Sequence, residues 1–227
     1  MIGVAGYMMR RTLTDALPPP APKADDVPPL VEVFRHQLPV VARIAGLVAF
    51  NAIAFQLAFL YVVHWLEMVD GVAPAHALKI NTISMLLIMP VSLTSGWLSD
   101  RIGRKNLLLL ASAIGFVGAV PFFMLMHNNS TEMIMLGQFG FVIAIGIAFG
   151  VMPSITVETT PVAARCTALA LGNNISYSIL GGLMPLTATW LVYRTADNYS
   201  PAYLIMVAAA LTFIAALFHR EIARKSS

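Results

Sequence analysis

Six stretches of this chain run for about twenty residues or more without a single Asp, Glu, Lys or Arg. They are Ile44 to Leu66, Ile80 to Ser99, Asn106 to Thr131, Met133 to Val157, Cys166 to Tyr193, and Asn198 to His219. A helix rises 1.5 Å per residue, so crossing about 30 Å of hydrocarbon takes roughly 20 apolar residues. Each stretch is therefore long enough to span a bilayer. A membrane β-barrel is excluded, because its strands are about ten residues long with alternating apolar and polar positions, and these runs are continuously apolar. The expected fold class is an all-α polytopic membrane protein.

Composition agrees. With 58% apolar and only 11% charged residues and a mean hydropathy of +0.78, soluble enzymes and disordered regulators are excluded. The pI near 9.2 does not indicate a nucleic-acid partner, since 11 acidic residues nearly balance 14 basic ones and no long basic run exists. A lone cysteine, Cys166, rules out an intramolecular disulfide, and the 5 histidines show no metal-ligand spacing, so no metal or other cofactor is expected.

The basic residues are instead sorted by topology. Arg10, Arg11, Lys23, Arg35, Arg43, Arg101, Arg104, Lys105, Arg165, Arg220, Arg224 and Lys225 fall on one side of the spans, and only Lys79 and Arg194 on the other. Basic residues concentrate on the cytoplasmic side, which places both termini there. Before the first span, residues 10–43 contain LPPPAPKADDVPPL, a proline-rich linker. The short apolar segment of residues 1–9 reads as the tail of a helix that begins further upstream, and residues 220–227 as a cytoplasmic tail.

The connection between the second and third spans reads Gly96-Trp97-Leu98-Ser99-Asp100-Arg101-Ile102-Gly103-Arg104-Lys105. By itself this is a tight turn with a cationic anchor at the membrane face. Its spacing also resembles the G-x-L-x-D-R-x-G-R-K signature of the major facilitator superfamily, with every fixed position matched. That signature follows helices two and eight of those transporters. Here the eighth fits, making Ile44 to Leu66 resemble helix seven and the proline-rich linker resemble the central cytoplasmic loop. Glu158 and Arg165 then fall at the junction of helices ten and eleven, where related transporters also carry an acidic and a basic residue.

Within the superfamily, GLVAFNAIAFQLAFLYVVHWL and LALGNNISYSILGGLMPLTATWL resemble the metabolite:proton symporters, with Cys166 and Asn173 standing where tyrosines are expected. The resemblance implies a C-terminal half-bundle that is no enzyme. It would carry a small organic acid or zwitterion with protons by alternating access in a bacterial inner membrane. It also implies a missing N-terminal six-helix half, which would supply the rest of the cavity and the main titrating carboxylate. The competing reading is a non-transporting truncated protein or a modulator of full-length transporters.

Polar residues inside spans are expected to face protein or water. Asn173 and Tyr177, four residues apart with Ser176 beside them, form a polar stripe, and Asn51, Gln56, Gln138 and Asn174 join them as candidate substrate-binding residues. The alternative for all of these is hydrogen bonding between helices. The third and sixth spans, the latter with only Thr212 in its apolar body, are expected to face lipid, and Thr212 to be silent on substitution. Gly146 and Gly150 read as a close-packing pair, and His64 as interfacial. A cytoplasmic gate is expected from Asp100, Arg101, Arg104, Lys105, Glu158 and Arg165. Glu158, Arg104 and Arg165 would join within this chain, and Asp100 would contact the missing half.

This topology is checked by single cysteines introduced in a Cys166-free chain. Positions 76, 128 and 197 should react with impermeant reagent from outside intact cells, and positions 23 and 225 only after permeabilisation. External reaction at position 23 or 225 would invert the orientation.

Overall fold

The computed structural model describes residues 38–128, 130–160 and 165–218. The proposed helix remnant at 1–9, most of the linker and the tail at 220–227 lie outside the described residues. All regular structure among the described residues is helical, in six spans: α1 (Leu38–Asp70), α2 (Pro74–Ile102), α3 (Arg104–Met126), α4 (Thr131–Thr159), α5 (Cys166–Thr195) and α6 (Ser200–Leu217). α1, α2, α4 and α5 outrun their apolar stretches, because hydrogen bonding continues past the hydrocarbon edge until a cap or breaker intervenes, whereas α3 stops at Met126 and α6 at Leu217, short of theirs. So α1 begins at Leu38 rather than Ile44, taking the last residues of the expected linker, and Thr131 opens α4 instead of ending α3.

The breakers are local. Gly71 adopts φ 64° and ψ 22° and closes α1, its N–H donating to the Glu67 carbonyl and the next N–H, of Val72, to the Leu66 carbonyl. Gly103 is the only residue between α2 and α3, at φ 99° and ψ 138°, a conformation open to glycine and strained for other residues. The motif's second glycine is thus a backbone requirement of the reversal.

α1 and α4 form the middle of the bundle: α4 packs on α2, α3 and α1, and α1 packs on α5, α6 and α4. Lipid tails are as apolar as leucine, so helix association depends on close packing and interhelical hydrogen bonds rather than on a hydrophobic drive. Both are present. A β-carbon on Gly150 would overlap the Ser92 carbonyl oxygen and stand 2.8 Å from the Gly96 nitrogen, so α2 and α4 touch backbone to backbone there. Trp65 on α1 meets the edge of Phe123 on α3 at 5.1 Å, and Phe123 meets Phe141 on α4 at 5.6 Å.

Polar ties fasten both ends. At one, Arg104 pairs with Glu158, linking α3 to α4. Beside it, Lys105 Nζ donates to the Leu217 carbonyl at 2.8 Å, placing a cation on the C-terminus of α6, where the helix dipole favours it. At the other, Asp70 pairs with His127 at 2.5 Å, Trp65 Nε1 donates to the Asn198 carbonyl at 2.9 Å, and His76 meets Thr131 at 3.0 Å.

α2 and α5 are the spans least covered by the rest of the chain. α3 and α6 each keep an exposed apolar face, with Phe116 and Val117 on α3 and Val207 and Leu211 on α6. The other face of α6 packs its small residues directly on α1. Thr212 is fully buried, its Oγ1 accepting from the Phe50 N–H at 2.9 Å and donating to the Gly46 carbonyl at 2.8 Å. Those two groups are the ends of one α-helical turn of α1, so a side chain of α6 is inserted into the α1 ladder. Beside it, a β-carbon on Gly46 would stand 3.3 Å from Ala215 Cβ.

Thr212→Val keeps the shape and removes both bonds. It should destabilise the bundle by about 1 kcal/mol, seen as a lower unfolding midpoint in detergent, while Thr212→Ser stays near wild type.

Candidate functional site

α1 and α5 share a departure from regular geometry. α1 is α-helical over Leu38–Phe55, widens to a π-helix over Gln56–Tyr61 and returns to α-helix over Val62–Asp70. α5 does the same over Ile175–Gly181. A π turn holds an extra residue and shifts the register of everything beyond it, and such turns recur at functional sites. The π segment of α5 packs on α1 just before α1 itself widens: a β-carbon on Gly181 would lie 3.2 Å from the Ala52 carbonyl oxygen and 3.3 Å from Gln56 Cγ.

The candidate residues meet at this junction, though not all of them. Asn51, fully buried, donates from Nδ2 to the Tyr177 hydroxyl oxygen at 2.8 Å, and its Oδ1 has no partner. Gln56 Oε1 is likewise buried without a partner. Ser176 is fully buried and donates to the Ala45 carbonyl of α1 at 3.0 Å and to the Gly172 carbonyl of its own helix at 3.1 Å, so it fastens α5 to α1. Asn173 is half-buried and Asn174 exposed, and neither side chain makes a hydrogen bond. Gln138 sits apart on α4, its Nε2 3.4 Å from the Ala58 carbonyl and its Oε1 unpartnered. The expected stripe thus resolves into a joined set, Asn51, Gln56 and Tyr177, and three amides outside it.

An amide oxygen without a donor is costly in a medium that supplies none, so these oxygens mark positions where water or a polar solute completes the bonding. The chemistry on offer is hydrogen bonding. No group of three or more His, Cys, Asp or Glu side chains arranged to hold a metal ion occurs among the described residues.

At the Arg104 end, the motif divides. Arg104 reaches Glu158 and, at 3.5 Å across the Gly103 reversal, Asp100, whose side chain stays 55% exposed. Arg101 instead lies over the Trp97 ring at 3.9 Å, and Lys105 is held by α6. The side chain of Arg165 lies outside the described residues.

Two groups escaped the sequence reading. Tyr61 is buried, 3% exposed, with no hydrogen-bond partner for its hydroxyl, although Thr189 lies close by. The Asp70 side chain is only 6% exposed and keeps one carboxylate oxygen unpartnered beside its contact with His127. The signal for Asp70 was a charge just beyond an apolar run. Tyr61 carried none, because its burial follows from the π turn.

Comparison with known proteins completes the picture. The family model of the Major Facilitator Superfamily matches residues 2–185 and 44–227. The glycine betaine/proline/ectoine/pipecolic acid transporter OusA of Dickeya dadantii (strain 3937) is 32% identical over 197 residues, 86% of this chain and 38% of the relative. The proline/betaine transporter of Escherichia coli (strain K12) is 36% identical over 143 residues, 63% of this chain and 28% of the relative. A relative from Staphylococcus aureus (strain MSSA476), 27% identical, is matched along 99% of this chain and 49% of its own length. The chain therefore spans about half the length of the relative it matches end to end. No solved structure matches the chain. With a family match over most of its length, six apolar helices and the Gly96 to Lys105 motif at a helix reversal, this multi-pass membrane protein belongs to the major facilitator superfamily.

Proposed function

We propose that the chain is one six-helix half of a proton-coupled secondary transporter for a small zwitterionic or carboxylate metabolite, completing its cavity with a second six-helix half and working by alternating access. The observation that carries this reading is the Asn51–Tyr177 hydrogen bond where the π segment of α5 packs on α1, with the Asn51 and Gln56 amide oxygens left open. Because Asn51 donates to Tyr177, the tyrosine's own O–H is free to donate to a solute carboxylate, and the open amide oxygens present negative dipoles to a solute's cationic nitrogen. Asn173, Asn174 and Gln138 contribute further polar surface. The solutes in the relatives' names, betaine, proline, ectoine and pipecolic acid, all join a carboxylate to a cationic nitrogen, which supports a zwitterion.

The need for a second half is supported by the outer faces. Ile179, Leu183, Leu186, Trp190 and Tyr193 are all exposed on α5. Their spacing of four and three residues is that of a helix-packing seam. α2 presents a comparable exposed set in Leu86, Leu93 and Trp97. The bias of basic residues supports a cytoplasmic position for the Arg104 end in the cell membrane, where Arg104, Glu158 and Asp100 act with Arg101, Lys105 and Arg165 as a gate that holds the outward-open state. Exposed ion pairs are worth about 0–1 kcal/mol each, suitable for a latch that must release.

Co-expression with the N-terminal half of a full-length relative should give saturable uptake of labelled betaine or proline, while the purified chain alone in liposomes should give none. In the completed transporter, Tyr177→Phe should raise the apparent KM about fivefold at unchanged membrane level, the loss of one hydrogen bond. Ser176→Ala should lower folded yield and leave KM unchanged. Unaltered KM in Tyr177→Phe would assign Asn51 and Tyr177 to helix fastening alone.

In the same system, Glu158→Gln should increase labelling of cytoplasmic cysteines and slow uptake with little change in unfolding midpoint. A large loss of stability without a change in labelling would make the pair a static clamp.

A further inference from the structure

From Ile44 to Asp70, α1 is covered on nearly every side, and just three residues are exposed: Leu60, His64 and Glu67. Their spacing of four and three places them on one helical stripe, which continues inward to Gln56. His64 lies near the end of the apolar stretch and Glu67 just beyond it, so this uncovered stripe runs to the membrane margin, where water and polar partners meet it.

Grooves flank it on both sides. Between α1 and α5 a groove of about 450 Å³ is lined by Tyr61, His64 and Thr189 among apolar neighbours, and between α1 and α2 one of about 360 Å³ by His64, Glu67 and Asn81. Each contains a deeply buried polar side chain with an unsatisfied atom: the Tyr61 hydroxyl, in a residue 3% exposed, and Asn81 Oδ1, in a residue 7% exposed. The Thr189 hydroxyl donates to the Pro185 carbonyl, so its lone pairs face the Tyr61 O–H as a weak neutral acceptor that a solute carboxylate would replace. His64 is shared by both grooves, its ring 6.2 Å from that of Tyr61. The side chains of His64 and Glu67 form no ion pair or hydrogen bond with any described residue.

We propose that this stripe is a second solute subsite, distinct from the Asn51–Tyr177 junction and nearer the Asp70 end, built to read both ends of a zwitterion. The His64 imidazole N–H and the Tyr61 hydroxyl take the carboxylate on the α5 side. The Glu67 carboxylate and the Asn81 amide oxygen take the cationic nitrogen on the α2 side. Side chains three apart on a helix have β-carbons about 5–6 Å apart, a span that the two charges of a short amino acid or betaine can bridge. Leu60 supplies an apolar contact for the solute's methyl or ring carbons. A solute held between His64 and Glu67 lies about two to three turns along the same stripe from Gln56, so the site is placed to pass it inward.

This inference rests on the zwitterion reading above, but its site is formed by α1, α2 and α5 of this chain alone and can be measured without a second half. The test is equilibrium binding of labelled glycine betaine to the full chain in nanodiscs, with acetate and tetramethylammonium as competitors that each carry one charged end. Wild type should bind betaine, and both competitors should displace it. His64→Ala should weaken betaine at least tenfold and abolish competition by acetate while sparing tetramethylammonium. Glu67→Gln should do the reverse. Both residues are exposed, so the variants should keep the wild-type unfolding midpoint. No betaine binding by the wild-type chain, or equal loss of both competitors in either variant, overturns the two-ended subsite. The transport reading is judged separately by uptake in the co-expressed pair. Restored uptake with a KM sensitive to Tyr177→Phe, but no effect of His64→Ala or Glu67→Gln on binding, would retain that reading and remove this one.

Discussion

In hydrocarbon no water is available to complete a hydrogen bond, so every polar group within the spans must be satisfied by the protein or mark a place where water enters. Most hydroxyls here meet that demand within their own helix: Ser84 on Ile80, Ser112 on Leu108, Thr156 on Met152 and Thr187 on Leu183 each donate to the carbonyl four residues back. Such residues place no constraint on the neighbouring helix. The few that reach across define the bundle, and they converge on α1. Thr212 from α6, Ser176 and Tyr177 from α5 and Gln138 from α4 all bond its backbone or its Asn51.

That convergence explains the local geometry of α1. The carbonyls of Ala45 and Gly46 accept hydroxyls from two different helices, and Thr212 also takes the Phe50 N–H, so the turn before Asn51 is held from both sides. Beyond it the helix widens at Gln56 against the π segment of α5. The wide turns redirect the second half of α1, burying Tyr61 and leaving Leu60, His64 and Glu67 uncovered. With Arg104–Glu158 and Lys105–Leu217 at one end and Asp70–His127 at the other, the helices are tied above and below this centre. A half-bundle so tied can move as one body, which is what rocking against a second half requires.

The motif between α2 and α3 shows how one short sequence serves several physical ends. Gly103 makes the reversal, Arg104 pairs across to α4, Lys105 caps α6, and Arg101 lies on Trp97 at the exposed margin. Three neighbouring cations are directed to three different partners, because Arg101 belongs to α2, while Arg104 and Lys105 are successive residues of α3 and point about 100° apart.

Fold class, number of spans and the position of the helix reversal were legible in the residues, since each follows from a one-dimensional requirement: enough apolar length to cross hydrocarbon, and glycine where the backbone turns. The polar residues of α1 and α5 were legible as a group for the same reason, being expensive in lipid. Their grouping was not. Asn51 reaches Tyr177 across 126 positions of chain, while Asn173, on the expected stripe, bonds nothing. Thr212, isolated in an apolar run, read as inert and proved to be inserted into another helix. The uncovered stripe of α1 depends on π turns that no local propensity announces. Sequence determined which side chains could not face lipid. Only the tertiary structure decided which partners relieved them, because a hydrogen bond depends on distances between helices that apolar length and periodicity do not encode.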